Sequence, residues 1–141
     1  MKNLILIAAP GAGKGTLSKD LLEKYNYVHI STGDLLREQV AKGDELGKKI
    51  NEMQTAGKLV TPEIVYSVLE NKLNDPACDN GYILDGFPRN LEQAKEYDKI
   101  LEKSGRDLGM VILIDIPKEM LVKRITGRYM CKDCGAIYNI Y

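Results

Sequence analysis

The stretch Leu4–Thr16, LILIAAPGAGKGT, decides the fold. Leu4, Ile5, Leu6 and Ile7 form an unbroken apolar run, which suits a parallel strand buried on both faces. Gly11, Gly13 and Gly15 follow at once, and glycine lets the backbone turn tightly enough for several N–H groups to converge on one anion at the next helix start. Lys14 adds a mobile positive charge. A plain strand-to-helix turn with a surface lysine explains each glycine separately but not the cluster, so the segment is read as a phosphate cradle. The general pattern G-x-x-x-x-G-K-[ST] is met with two departures: Ala8 replaces the first glycine, and Gly15 follows Lys14, with Thr16 one place later. If position 8 needs a positive φ, its methyl costs about 1 kcal/mol and weakens binding without loss of the fold.

Composition bounds the rest. The 141 residues make about one domain, and 44% apolar content is enough to bury a core. Lys plus Arg equals Asp plus Glu at 20 each, so net charge draws the chain neither to nucleic acid nor to a membrane surface. The first apolar run is too short for a signal peptide or a spanning helix and breaks at Pro10-Gly11, which predicts a cytoplasmic protein. Three cysteines, one isolated and two spaced C-x-x-C, do not make a secreted disulfide framework.

Periodicity and turn residues predict alternating strands and helices without repeats: a helix over Thr16–Tyr25, a strand over Tyr27–Ile30, and a helix from Thr32 through Ala41. Helices follow over Asp44–Ala56 and from Thr61-Pro62-Glu63, where Pro62 fits a first turn. Then come strand Tyr82–Asp85, helix Leu91–Lys103, strand Met110–Ile116 and helix Pro117–Ile125, a doubly wound α/β pattern with a parallel sheet. Ser31–Val60 holds only short helices where one crossover would suffice. It is read as an inserted lobe that closes over the phosphate loop and excludes water from a second substrate.

Five further features occur in order with Pro10–Thr16: STGDLLR at Ser31–Arg37, GKLV at Gly57–Val60, LDGFPR at Leu84–Arg89, Gln93 four residues on, and Gly127-Arg128. With these the chain resembles the adenylate kinases, nucleoside monophosphate kinases, over essentially its whole length. The resemblance implies a P-loop kinase core over 1–30 and 61–126 with a five-stranded parallel sheet, a helical AMP-binding lobe over 31–60, and the start of a lid over 127–141. It also implies the magnesium-dependent reaction ATP + AMP ⇌ 2 ADP. On it, Gly11, Ala12, Gly13, Lys14, Gly15 and Thr16 hold ATP together with Arg128, and Ile137 and Tyr138 are lid contacts near ATP. Thr32, Arg37, Lys58, Leu59 and Val60 address AMP from the lobe, and Gly86, Phe87, Pro88, Arg89 and Gln93 from the core. Asp85 matches the acid that holds Mg²⁺ through water, and Thr32 favours AMP over pyrimidine acceptors.

These residues suit that chemistry. The acceptor is already an anionic phosphate oxygen, so transfer asks for alignment and charge neutralisation rather than a base. Lys14, Arg89, Arg124 and Arg128 are the catalytic candidates, because guanidinium forks match phosphate oxygens. Cys131 and Cys134 can take two corners of a tetrahedral Zn²⁺, a half-site whose second pair would follow further on in zinc-type relatives. Cys78 is read as an inert thiol, His29 as a hydrogen-bonded core residue, and Asp34 as a helix cap. The sequence ends at Tyr141, before the rest of a lid, a fifth strand and a closing helix. It is therefore expected to be poorly active alone and, with the apolar edge of Met110–Ile116 unpaired, to self-associate, although the family is typically monomeric. Two other readings are a non-catalytic nucleotide-binding fragment and a related UMP or CMP kinase.

Overall fold

In a computed structural model, which describes residues 3–141, four strands form one parallel sheet. They are β1 (Leu4–Ala8), β2 (Val28–Ser31), β3 (Tyr82–Asp85) and β4 (Met110–Ile114), in the order β2-β3-β1-β4. Helix α1 (Lys14–Tyr25) joins β1 to β2; α2 (Thr32–Lys42), α3 (Glu45–Thr55), α4 (Pro62–Leu73) and a 3₁₀ turn over Pro76–Asn80 lead to β3. Helix α5 (Leu91–Ser104) crosses to β4, and α6 (Lys118–Thr126) leads into an antiparallel hairpin of β5 (Arg128–Met130) and β6 (Ile137–Asn139). The doubly wound α/β expectation holds, with four parallel strands among the described residues rather than five.

The alternation of side chains sorts the sheet into two faces. Ile5, Ile30, Tyr82 and Leu84 meet Ile64, Val68, Leu69 and Leu73 of α4 and Tyr97, Ile100 and Leu101 of α5 in one core, each buried apolar side chain contributing about 1.5–3 kcal/mol. Phe87 sits edge-on between Tyr66 and Tyr97 at 6.1 Å from each ring, and the buried Tyr82 and Tyr97 hydroxyls share a 2.7 Å hydrogen bond. Leu6 and Ile83, on the opposite face, are also buried. The expectation that Leu4–Ile7 is buried on both faces fails at its end: Ile7 is 41% exposed, and its register partner Leu113 on the outer strand β4 is 67% exposed.

The segment 31–60 is built from local signals. Ser31 caps α2 by accepting from the Asp34 N–H at 3.2 Å, while its hydroxyl donates back to the Asp34 carboxylate at 2.7 Å. The cap itself is thus Ser31, and Asp34 is its reciprocal partner. Asp44 caps α3 in the same way through the Gly47 N–H at 2.7 Å. An added Cβ at Gly47 would overlap the Gln39 carbonyl oxygen, so glycine lets α2 and α3 approach closely. Leu35 of α2 and Ile50 of α3 join the main core cluster.

Other boundaries moved slightly. The first helix starts at Lys14 rather than Thr16, and β2 runs one residue later than its expected span. Cys78 lies in the 3₁₀ turn and donates its S–H to the Lys72 carbonyl at 3.3 Å. Burial pushes its thiol above the usual range. Arg106 straps the same corner. Its guanidinium donates to the Leu73 carbonyl at 2.6 Å, the Cys78 carbonyl at 3.1 Å and the Asp79 carboxylate at 2.6 Å.

Candidate functional site

The strands deliver the site to their carboxyl ends, where open α/β sheets bind ligands. Between β1 and α1 the chain turns with Gly11 at φ 83° and Gly13 at φ 98°, a left-handed conformation that side chains disfavour. Gly13 stands at the cap position of α1 and offers no side-chain hydrogen bond, and the first turn carries no acid. The leading N–H groups of α1 therefore have no capping side chain and no acid within their own turn, an arrangement suited to an anion. Ala8 is not in this turn. It ends β1, opposite Ile114, outside the positive-φ region, so the strain considered for it does not arise.

Parallel register sets Asp85 level with Leu6 of β1 and Ser31 of β2. There its carboxylate takes the Lys14 ammonium at 2.5 Å and the His29 Nε2 at 3.1 Å. The side chains of Lys14 and Asp85 are 29% and 16% exposed, so this pair is neither sealed nor fully solvated. His29 is hydrogen-bonded as expected, but its partner is the site acid, which sequence reading missed. The signal was present in the pairing of two short strands that both end at a polar residue.

The second wall is the loop after β3. Arg89 donates through Nε to the Gly86 carbonyl at 2.6 Å, and its backbone N–H donates to the Gln93 side-chain oxygen at 2.7 Å. Asn90 caps α5 by accepting from the Gln93 N–H at 2.9 Å. The Phe87–Pro88 peptide is cis. Phe87 itself is 2% exposed in the aromatic core, so it supports this loop rather than presenting a ligand face. Gln93 likewise has its acceptor engaged within the loop, leaving the amide N–H₂ as its free end.

A cleft of about 1400 Å³ joins these walls. Gly11, Gly13, Lys14, Gly15 and Thr16 line it on one side, Gly86, Pro88 and Arg89 on the other, with Arg128 and Ile137 reaching it from the hairpin. Sequence reading did not include Lys19 and Asp20 of α1, or Asn90, Leu91 and Ala94 of α5, which also border it. The next helical turn after Thr16 and the turn after Arg89 were the available cues. Thr32, Arg37, Lys58, Leu59, Val60 and Gln93 do not line this cleft. Arg37 instead pairs with Asp34, and the Ser31 hydroxyl together with that guanidinium holds the Asp34 carboxyl below its usual range. Leu59 is 93% exposed.

Two expectations at the hairpin change. Arg128 and Ile137 share a face of the ribbon, whereas Tyr138 alternates to the other face and stacks on Tyr129 at 5.5 Å, away from the cleft. Arg124 does not project freely into the cleft: its Nη1 donates to the carbonyls of Gly11 and Ala12 at 3.4 and 3.2 Å, gripping the loop from behind. Ala12 is buried. Cys131 and Cys134 do meet in the hairpin turn, where N–H groups of Cys134 and Asp133 and the Cys134 thiol hold the Cys131 thiol below its usual range. Among the described residues no group of three or more His, Cys, Asp or Glu could hold a metal. The two thiols alone therefore do not complete a tetrahedral zinc site.

A parallel sheet with a glycine turn, a lysine-headed helix and an acid on the neighbouring strand defines a P-loop protein of the nucleotide-kinase fold. The family model "Adenylate kinase" matches residues 6–136. Adenylate kinases of Archaeoglobus fulgidus, Thermosipho africanus and Nitrosococcus oceani are 49%, 47% and 48% identical to it, over 98%, 98% and 97% of this chain. The chain belongs to the adenylate kinase family. It spans 64%, 64% and 63% of the length of those three relatives.

Proposed function

We propose that the protein transfers the terminal phosphoryl group of ATP, taken as its magnesium complex, reversibly to AMP, giving two ADP. The observation that carries this reading is the Lys14–Asp85 pair, 2.5 Å apart, with Lys14 heading the helix after the glycine turn and Asp85 leading directly into the Gly86 loop that holds Arg89. Phosphate oxygens arriving at the α1 terminus compete with Asp85 for the Lys14 ammonium, and the carboxylate so released is a hard oxygen donor of the kind Mg²⁺ uses, one protein acid beside substrate phosphates. Magnesium bound with the nucleotide would neutralise charge between its phosphates.

The chain's own residues do the rest. Loop N–H groups and Lys14 fix the donor phosphates, Arg128 approaches from the hairpin, and Arg89 faces the acceptor side. Because the acceptor oxygen is already ionised, alignment and charge neutralisation suffice. The proposal assigns 31–60 to the AMP-binding lobe, with Thr32, Arg37, Val60 and Gln93 selecting AMP once that lobe closes, and 127–141 to the lid. It includes a cytoplasmic setting; among the described residues no helix is long and apolar enough to cross a membrane. The test is a coupled assay of ADP formation from ATP with AMP, UMP or CMP as acceptor. Turnover with AMP that is abolished in Lys14→Ala supports the reading; nucleotide binding without turnover supports a binding protein instead, and turnover favouring UMP or CMP sinks the choice of acceptor.

A further inference from the structure

Lys14, Arg89 and Arg128 line the cleft, but Arg124, the other cation expected to take part in transfer, does not. Its Nη1 alone lies within hydrogen-bond distance of two consecutive loop carbonyls, Gly11 at 3.4 Å and Ala12 at 3.2 Å. The whole side chain packs closely on the loop. A Cβ placed on Gly11 would sit 3.8 Å from the Arg124 Cβ and 3.0 Å from the Ile125 Cγ1, and one placed on Gly13 would sit 3.7 Å from the Arg124 Nη1. Among the described residues this guanidinium takes no carboxylate, whereas those of Arg37 and Arg106 do. The backbone of the same residue is fixed as well: the Arg124 carbonyl accepts the Asn139 side-chain amide at 3.2 Å, and the Gly127 carbonyl accepts the Ile140 N–H at 3.1 Å. Arg124 thus joins the phosphate loop to the base of the hairpin.

We propose that Arg124 is a positioning residue of the phosphate loop: by holding the Gly11 and Ala12 carbonyls on the side away from the cleft it aims the Gly13 N–H at the anion, without itself touching the nucleotide. In a planar trans peptide the C=O and N–H point opposite ways. The Ala12 carbonyl and the Gly13 N–H belong to one peptide, so drawing that oxygen toward α6 turns the N–H toward the cleft, which Gly13 lines and Ala12 and Arg124 do not. The preceding peptide is held at both ends, its carbonyl on Arg124 and its Ala12 N–H on the Ala9 carbonyl at 3.1 Å. Glycines on either side leave such a turn many conformations, and donors ordered before the ligand arrives save the cost of ordering them on binding. A cation on the carbonyls also polarises these peptides, which strengthens their N–H groups as donors. Only one nitrogen of the guanidinium is used here. A lysine ammonium can therefore stand in for it, whereas a planar fork on phosphate oxygens has no such substitute. The proposal rests on the reading of the cleft as a nucleotide polyphosphate site.

The test compares Arg124→Met, which keeps the aliphatic stem over Gly11 but removes donor and charge, with Arg124→Lys, which restores both. Calorimetry with inorganic tripolyphosphate, a probe without a base, is expected to show binding about tenfold weaker in Arg124→Met and within about threefold of wild type in Arg124→Lys. Amide hydrogen exchange on the protein without ligand is the second readout. The Ala12 N–H is expected to exchange about tenfold faster in Arg124→Met and near the wild-type rate in Arg124→Lys, with the amides of β1 and β3 unchanged in both. Wild-type affinity in Arg124→Met overturns the proposal. Weakened binding with unaltered Ala12 exchange also overturns it, because Arg124 then meets the anion directly. An Arg124→Lys protein that is folded yet as weak as Arg124→Met does the same, since it points to a guanidinium fork on phosphate. Should Arg124→Met lose protection throughout β1 and β3, Arg124→Lys alone decides between the last outcome and rescue. A wild-type protein that binds neither tripolyphosphate nor ATP sinks the nucleotide reading and the proposal with it, whereas wild-type binding that neither variant changes sinks the proposal alone.

Discussion

Asp85 is the residue on which Lys14 and His29 converge, and its neutralisation separates its roles. With no nucleotide bound, its carboxylate competes with any incoming phosphate for Lys14 and repels that phosphate. Asp85→Asn keeps a hydrogen-bonding group but drops the charge. Metal-free ATP is therefore expected to bind the variant several-fold more tightly, while turnover with magnesium falls by about tenfold or more, the scale of one lost contact of about 1.4 kcal/mol. Calorimetry with and without magnesium, beside the coupled assay, reads both directions; weaker metal-free binding would show that the carboxylate only organises Lys14. A different single-residue balance holds at Tyr82 and Tyr97, 0% and 1% exposed, whose hydroxyls satisfy only each other among the described residues. Burial pushes both phenols above their usual range. Tyr97→Phe strands the Tyr82 hydroxyl and is expected to cost about 1–3 kcal/mol, whereas the double Phe variant recovers most of that loss. Denaturant unfolding of the two singles and the double closes the cycle.

At the scale of elements, the caps of α2 and α3 make stability depend on acid. The Ser31 hydroxyl and Arg37 hold the Asp34 carboxyl below its ordinary 3.8, and the Gly47 N–H does the same for Asp44. A carboxyl lowered on folding contributes stability above its unfolded value and loses it as pH falls through the folded value. Asp34→Asn should therefore lower the urea midpoint at pH 7 and make little difference once pH lies well below 3.8. A gap that persists in acid would mean the amide disrupts the helix start rather than the charge interaction. Sequence reading placed the α2 cap on Asp34 rather than Ser31 and named none for α3, whereas every strand of the parallel sheet was legible. What escaped reading were contacts between distant segments: Arg106 reaching three groups around Leu73, Cys78 and Asp79, Arg124 on the loop carbonyls, and His29 on Asp85. Local periodicity carries no record of which helix end lies beside which loop. For the same reason Phe87 looked like part of the acceptor site, when only packing against Tyr66 and Tyr97 shows its direction.

Across the whole molecule, burial is lopsided. The core cluster packs β1, β2 and β3 against α4 and α5, but β4 forms an outer edge, and α6 contributes no buried residue. Register sets Val111 opposite Ile5 and Leu113 opposite Ile7, on the face that α5 covers only nearer the centre. Val111 and Leu113 are 49% and 67% exposed, and with Ile7 they make an apolar strip beside an edge with no strand partner in the described sheet. Such an edge recruits another strand unless charge or a covering element blocks it, because backbone N–H and C=O groups and apolar side chains are presented together. This chain is accordingly expected to associate as concentration rises. Leu113→Lys sets a charge at the most exposed point of the strip, where the desolvation cost falls on the associated state and little on the monomer. Sedimentation velocity across a concentration series should then show the wild type shifting to larger species and the variant remaining monomeric, with unfolding free energies agreeing within about 0.5 kcal/mol. A wild type that stays monomeric throughout would mean the strip is too narrow to drive pairing, and association by the variant as well would move the contact elsewhere, to the exposed hairpin apolars Met130, Ile137 and Ile140.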